Sequence, residues 1–184
     1  MADLMTATRT TILDGAQGGS AGVSIKMAAS AYRLSLRARP EAVQTLSEAL
    51  DIGLPTHPKG SATSGLRSAL WLGPDEWLII DQGESDLMAA LSNVSGLYSA
   101  TDVSHRNVGI IVSGTNAATA INAGCPQDLS LEAFPVGACS RTLLGKAEVV
   151  LLRVADDTFR VECWRSFAEY VFGLLDEGAR DAGA

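Results

Sequence analysis

The chain has 184 residues, 47% of them apolar and 19% charged. That balance supports a packed hydrophobic core and excludes an intrinsically disordered chain. With 14 basic against 21 acidic side chains the net charge is −7, which disfavours nucleic acid and anionic membrane, since both are bound by clustered Lys and Arg. No apolar run approaches the roughly 20 residues that cross a bilayer, and Met1 to Lys26 holds no continuous apolar signal segment, so a cytoplasmic protein is expected.

Residues 1–25 carry Gly15, Gly18, Gly19 and Gly22 within eight positions. Ordering so many glycines costs backbone entropy, and the segment reads as a flexible arm, or as one that orders only against a partner. Tyr32, Leu34, Leu36 and Ala38 then alternate with Arg33, Ser35, Arg37 and Arg39, the period-two pattern of a half-buried strand. Pro40 suits the first position of a helix that carries Val43, Leu46 and Leu50 and stops at Gly53. Leu54 to Gly65 is a loop. Strands over Leu66–Leu72 and Trp77–Asp81 flank the turn Gly73-Pro74-Asp75-Glu76. Ser85 is placed to cap a short helix with Leu87, Met88 and Leu91, and Leu97–Val103 returns as a strand.

The second half nearly repeats this order. Val108–Val112 is a continuous apolar strand. Thr115 is placed to cap a helix through Ile121 that ends at Gly124. After a loop over Pro126–Gly137 come strands near Ser140–Leu144, Glu148–Val154 and Phe159–Trp164, the last two joined at Ala155-Asp156-Asp157. Ser166 is placed to cap a final helix with two adjacent apolar stripes, Phe167/Val171/Leu174 and Ala168/Phe172/Leu175.

The order β-α-β-β-α-β is that of the split βαβ, or ferredoxin-like, unit. The expectation is an α+β fold of two tandem ferredoxin-like halves with mainly antiparallel sheet. The arm covers 1–25, the first half 26–104, the second 105–176, and a frayed tail 177–184. Pattern alone leaves open whether the halves share one sheet.

Candidate chemistry is sparse. Asp102-Val103-Ser104-His105-Arg106 holds the three residue types of a hydrolase triad, but such groups must converge from separate elements on one centre. Within five positions at a strand end they read instead as a polar turn between the halves. His57 lies beside Pro58 in a loop with no partner in sequence, and no C-x-x-C or H-x-x-x-H spacing suggests zinc. Cys125, Cys139 and Cys163 are odd in number and widely spaced, as reduced buried thiols are. Neither G-x-G-x-x-G nor G-K-[ST] occurs in the context that would bind a dinucleotide or a nucleoside triphosphate. Asp75/Glu76 and Asp156/Asp157 fall in turns, where such residues serve the backbone.

Arg106, Arg141, Lys146, Arg153, Arg160 and Arg165 crowd the second half. They could hold an anionic ligand by bidentate contacts, or pair with acidic neighbours or a partner subunit. Trp71, Trp77 and Trp164 adjoin strands and suit either a core or an interface, with Trp77 the better core anchor. No residue is assigned as catalytic, cofactor-binding or metal-binding.

Six strings taken in order carry a resemblance. They are Leu72-Gly73-Pro74-Asp75-Glu76-Trp77-Leu78, Asp102-Val103-Ser104-His105-Arg106, Gly124-Cys125-Pro126-Gln127-Asp128-Leu129, Cys139-Ser140-Arg141-Thr142, Gly145-Lys146-Ala147-Glu148-Val149 and Cys163-Trp164-Arg165-Ser166-Phe167-Ala168. Over Leu66–Leu175 the chain resembles the gamma subunit of heterotetrameric sarcosine oxidase. The resemblance implies a fold like part of the folate-binding aminomethyltransferase of the glycine cleavage system. It also implies alpha, beta and delta subunits as partners. In that family the complex demethylates sarcosine to glycine, with hydrogen peroxide and either formaldehyde or 5,10-methylenetetrahydrofolate as products. FAD, FMN, NAD and zinc are expected in the other subunits and none in this chain, which is then accessory. The competing expectation is a stand-alone folate-binding or one-carbon-transfer domain, although the chain offers no evident acid–base group for that chemistry.

Overall fold

The computed structural model describes residues 12–83 and 85–184. In chain order the first elements are β1 (Gln17–Ser20), β2 (Val23–Met27), β3 (Tyr32–Ala38), α1 (Pro40–Ala49), β4 (Ser61–Ser64), β5 (Arg67–Gly73), β6 (Glu76–Asp81), α2 (Leu87–Leu91) and β7 (Tyr98–Asp102). They are followed by β8 (Asn107–Ser113), α3 (Ala117–Asn122), β9 (Cys139–Leu144), β10 (Ala147–Ala155), β11 (Thr158–Trp164) and α4 (Ala168–Ala182). The α+β class and the antiparallel pairing expected from the sequence are both present.

Among the described residues the strands form two sheets, ordered β4-β5-β6-β3-β7 and β1-β2-β8-β11-β10-β9. The first contains the ferredoxin-like arrangement β5-β6-β3-β7, with β4 added at its edge. The second matches it strand for strand: β9, β10, β11 and β8 stand where β4, β5, β6 and β3 do. Its remaining position, next to β8, is filled by β2 from the N-terminus, as β7 fills the place beside β3. The second half therefore completes its sheet with the start of the chain.

This corrects the expected boundaries. Residues 1–11 of the supposed arm lie outside the described residues, but 17–27 form a hairpin that belongs to the second half. The glycines serve close approach rather than flexibility. A Cβ at Gly18 would lie 2.7 Å from Asp176 Oδ1, and one at Gly19, where φ is +122°, would lie 2.2 Å from the Val23 carbonyl oxygen. The Gly19 N–H donates to Asp176 Oδ1 at 2.9 Å, and the Ser20 hydroxyl donates to the Ala179 carbonyl. The same contacts explain why α4 continues to Ala182 where a frayed tail was expected from 177. Ala179 is fully buried, and Gly178 lets the helix pass so near α3 that a Cβ would meet the Ala120 carbonyl at 2.3 Å.

Strand alternation then builds the layers. On β3, β6, β8, β10 and β11 one set of side chains faces helices and the other faces the opposite sheet. Leu34, Leu36, Trp77 and Ile79 pack with Leu46, Leu50, Leu87 and Leu91 of the first half. Ile110, Val149, Leu151, Phe159 and Val161 pack with Ile121, Val171 and Leu175 of the second. Between the sheets Leu70, Leu78, Ile80, Val103, Cys139, Val150 and Leu152 form a third cluster. The order is helix, sheet, sheet, helix, with the two halves back to back.

Several local stops and caps differ from expectation. Asp51, not Gly53, takes the left-handed position after α1 at φ +49°, a conformation that Asp tolerates better than most residues. Asp86 rather than Ser85 caps α2, accepting from the Ala89 N–H at 2.9 Å. Asn116 rather than Thr115 stands at the start of α3, and its amide donates to the Ala182 carbonyl at 3.0 Å instead of capping. A 3-10 turn over Arg165–Phe167 precedes α4, so Ser166 makes no cap.

Candidate functional site

The chemistry-bearing side chains that come together lie in the seam between the sheets. On β11, Phe159, Val161 and Cys163 point into the helix-side core, which turns Arg160 and Glu162 toward the other half. On β3, Leu34 and Leu36 do the same for Arg33. Arg33 Nε donates to Glu162 Oε2 at 2.6 Å and Arg33 Nη2 to Oε1 at 3.1 Å, a two-point pair. Arg160 Nε donates to the same Oε1 at 2.7 Å. All three side chains are buried, with 1% of the Glu162 side chain exposed.

Two guanidiniums thus share one carboxylate. Gly109 on β8 lies directly opposite Glu162 and makes the arrangement possible, because a Cβ there would sit 2.6 Å from Glu162 Oε1 and 2.9 Å from Arg160 Nη2. The fit leaves Arg160 Nη2 buried without a hydrogen-bond partner among the described residues. An unpaired buried donor of a charged group is costly, so its presence is a chemical signal.

A cavity of about 320 Å³ opens at this end of the seam. Arg33, Gly109 and Ala28 are among its lining residues, and Asp14, His105 and Arg165 contribute further charged or titratable groups. Elsewhere Arg141 of β9 reaches across the seam to Glu76 of β6, which also pairs with Arg37 of β3 in its own sheet. Burial alone would raise the Glu76 carboxyl, but the two arginines outweigh it and hold the group below the usual glutamate value.

Ser104 and Asp102 of the triad candidates are both engaged with backbone groups. The Ser104 hydroxyl accepts from the Arg33 N–H at 2.9 Å, and Asp102 Oδ1 accepts from the Ser104 N–H at 2.8 Å. These bonds hold the link between halves against β3. His57 is exposed and lies beside its own loop, with Nδ1 3.2 Å from the Pro58 carbonyl oxygen. The three cysteines are free and buried. Burial pushes the Cys139 thiol up to about 11. Burial, with Glu162 adding to it, pushes the Cys163 thiol up to about 12. Both stay protonated at neutral pH, the opposite of an activated nucleophile. Among the described residues no group of three His, Cys, Asp or Glu stands close enough to share a metal ion.

The second-half arginines scatter. Arg153 stacks on Phe159 at 4.5 Å and donates to the Asp156 and Leu129 carbonyls. Arg106 lies 5.0 Å over the ring of Trp164. Of the set, Arg165 lines the cavity, while Arg160 lies behind Gly109. Trp77 is a core anchor, buried with its indole N–H donated to the Pro55 carbonyl at 2.7 Å. Trp164 is 42% exposed and pairs with Phe167 on the surface. Sequence reasoning missed Arg33 and Glu162. A trace of both was there: Arg160 and Glu162 occupy the charged phase of the alternating strand Phe159–Cys163, and Arg33 occupies the polar phase of β3.

Two back-to-back ferredoxin-like halves define an aminomethyltransferase-like fold. Aminomethyltransferase T of the glycine cleavage system from Bartonella henselae superposes with a TM-score of 0.64 at 15% identity, over 87% of this chain and 49% of that one. A chain of heterotetrameric sarcosine oxidase from Corynebacterium sp. U-96 superposes with a TM-score of 0.83 at 27% identity, over 88% and 86% of the two chains. The sarcosine oxidase subunit gamma of Corynebacterium sp. (strain P-1) is 34% identical over 170 residues, covering 88% of this chain and 83% of that protein. The subunit gamma of Corynebacterium sp. (strain U-96) is 30% identical over 165 residues, covering 86% and 80%. The family model for sarcosine oxidase, gamma subunit, matches residues 36–181. The chain belongs to the sarcosine oxidase gamma subunit family.

Proposed function

We propose that this chain is the accessory gamma subunit of a cytoplasmic heterotetrameric sarcosine oxidase and that its role is structural rather than catalytic. The observation that carries the reading is the near-complete superposition on a chain of a heterotetrameric sarcosine oxidase. The complex oxidises the N-methyl group of sarcosine, giving glycine and hydrogen peroxide with formaldehyde or, when tetrahydrofolate accepts the carbon, 5,10-methylenetetrahydrofolate. FAD, FMN, NAD and zinc reside in the alpha, beta and delta subunits. The geometry supports an accessory role: the Ser104 hydroxyl is engaged with the Arg33 backbone, and the Cys139 and Cys163 thiols are held protonated.

Co-expression with the neighbouring genes tests this. The expected result is co-elution of this chain with a large flavoprotein, and sarcosine-dependent peroxide formation by that complex but not by the chain alone. A chain that stays monomeric beside its neighbours overturns the reading. Heat on titrating tetrahydrofolate into the isolated chain would favour the one-carbon-transfer alternative.

A further inference from the structure

We infer that the aromatic patch of Trp164, Phe167 and Tyr170 is the face by which this chain docks on another subunit, one that offers an apolar pocket rimmed by carboxylates. The inference rests on the reading of the chain as a subunit of an assembly and names the surface that the reading leaves open. The chain is only 5% aromatic, yet these three side chains fall within seven positions and are 42%, 41% and 41% exposed. Single exposed apolar side chains are ordinary, whereas an exposed group of aromatics side by side marks an interaction site.

Local structure sets the patch in place. β11 ends at Trp164, and the 3-10 turn over Arg165–Phe167 carries the chain into α4. That turn puts Phe167 beside Trp164, with ring centroids 6.2 Å apart, and Tyr170 follows three positions on. Ala168 and Val171 of the same segment are fully buried, which leaves Phe167 and Tyr170 on the outer side. Arg106 stacks over Trp164 at 5.0 Å. The Lys146 N–H donates to the Tyr170 hydroxyl at 3.1 Å, and Gly145 leaves room for it, since a Cβ there would lie 2.5 Å from that oxygen. Rings fixed by their neighbours lose little entropy on docking, and Trp, Tyr and Arg are enriched where binding energy concentrates. Charge gives the chemistry of the partner. Among the described residues neither Arg106 nor Lys146 forms an ion pair, although both are exposed on a chain of net charge −7. Of the acids close by in sequence or strand, Glu148 lies 3.9 Å from Arg141, and Glu169 is exposed next to Tyr170. An aromatic patch flanked by two unanswered cations is complementary to an apolar pocket with carboxylates at its rim.

The test is a competition for assembly. Full-length wild-type chain and a variant are co-expressed in equal amounts with the neighbouring genes, and intact mass reads their ratio in the purified complex. Trp164→Ala is expected to be under-represented by roughly thirtyfold, as loss of a central binding side chain implies. Lys146→Glu, an exposed change outside the core, is expected to be reduced severalfold, and it keeps the test decisive if Trp164→Ala does not fold. Circular dichroism and thermal unfolding of each isolated variant report folding. Parity of the folded Trp164→Ala chain with wild type, or parity of Lys146→Glu, overturns the inference and leaves the subunit reading standing. Wild-type chain missing from the complex overturns the subunit reading and this inference with it. A dimer of the isolated chain that Trp164→Ala returns to monomer would assign the patch to a second copy and likewise overturn the inference.

Discussion

Arg33 of the first half and Glu162 of the second stand 129 residues apart in sequence and meet inside the seam, where Arg33 donates two hydrogen bonds to the Glu162 carboxylate. The pair and Arg160 form a buried charged contact where two apolar sheet faces close on each other. Removing one partner from a buried pair leaves an uncompensated charge, which is worth more than the net contribution of the pair itself.

Glu162→Ala is therefore expected to be the most damaging single change in the seam. It leaves two guanidiniums buried together and should cost about 3–5 kcal/mol in urea unfolding. Arg33→Met leaves Glu162 still bonded to Arg160 and should cost distinctly less. The reverse order of the two variants would refute the account of the cluster.

The hairpin glycines and the exposed helix glycine should respond with opposite sign. Gly19→Ala places a Cβ 2.2 Å from the Val23 carbonyl oxygen at φ +122°. A loss of at least about 2 kcal/mol is expected from strain and displaced backbone. Among the described residues nothing lies within 4 Å of where Gly173 in α4 would carry a Cβ. Gly173→Ala should stabilise by about 0.5–1 kcal/mol through helix propensity. Paired denaturation curves check both.

The thiols predict an alkaline limit. Cys139 and Cys163 have folded values raised to about 11 and about 12 from an ordinary value of 9.0. Raised acids favour the folded state fully below the unfolded value, so stability should fall as pH rises from about 9 toward 11–12, where unfolded thiols ionise first. Substituting both with Ala or Val should flatten that part of the pH profile. In the native protein at pH 8 a thiol reagent should label these two positions only after denaturant is added.

Ser104→Ala tests whether the Asp-Ser-His string has any chemical role. The hydroxyl accepts from the Arg33 N–H, so its loss should cost about 1 kcal/mol of stability. Turnover of the assembled oxidase should be unchanged. A fall of a hundredfold or more in kcat, with assembly intact, would assign Ser104 to catalysis.

What local pattern determined can be read from particular segments. Alternation on β3, the apolar run of β8 and the stripes of α4 were legible because each reports burial through its own spacing. The ferredoxin-like order of the first half followed from those elements alone. The buried state of the three cysteines and the core role of Trp77 followed from residue type. The tertiary structure alone decided where the N-terminal strand pairs, since β2 finds β8 more than eighty residues on and no local period encodes a partner at that distance. It also decided that glycines at 18 and 19 admit α4 and a tight hairpin rather than loosen an arm. The seam cluster escaped for the same reason. Arg33 and Glu162 each sit on the polar phase of a strand, and only back-to-back packing of the sheets turns that phase inward, where a charge must find its opposite.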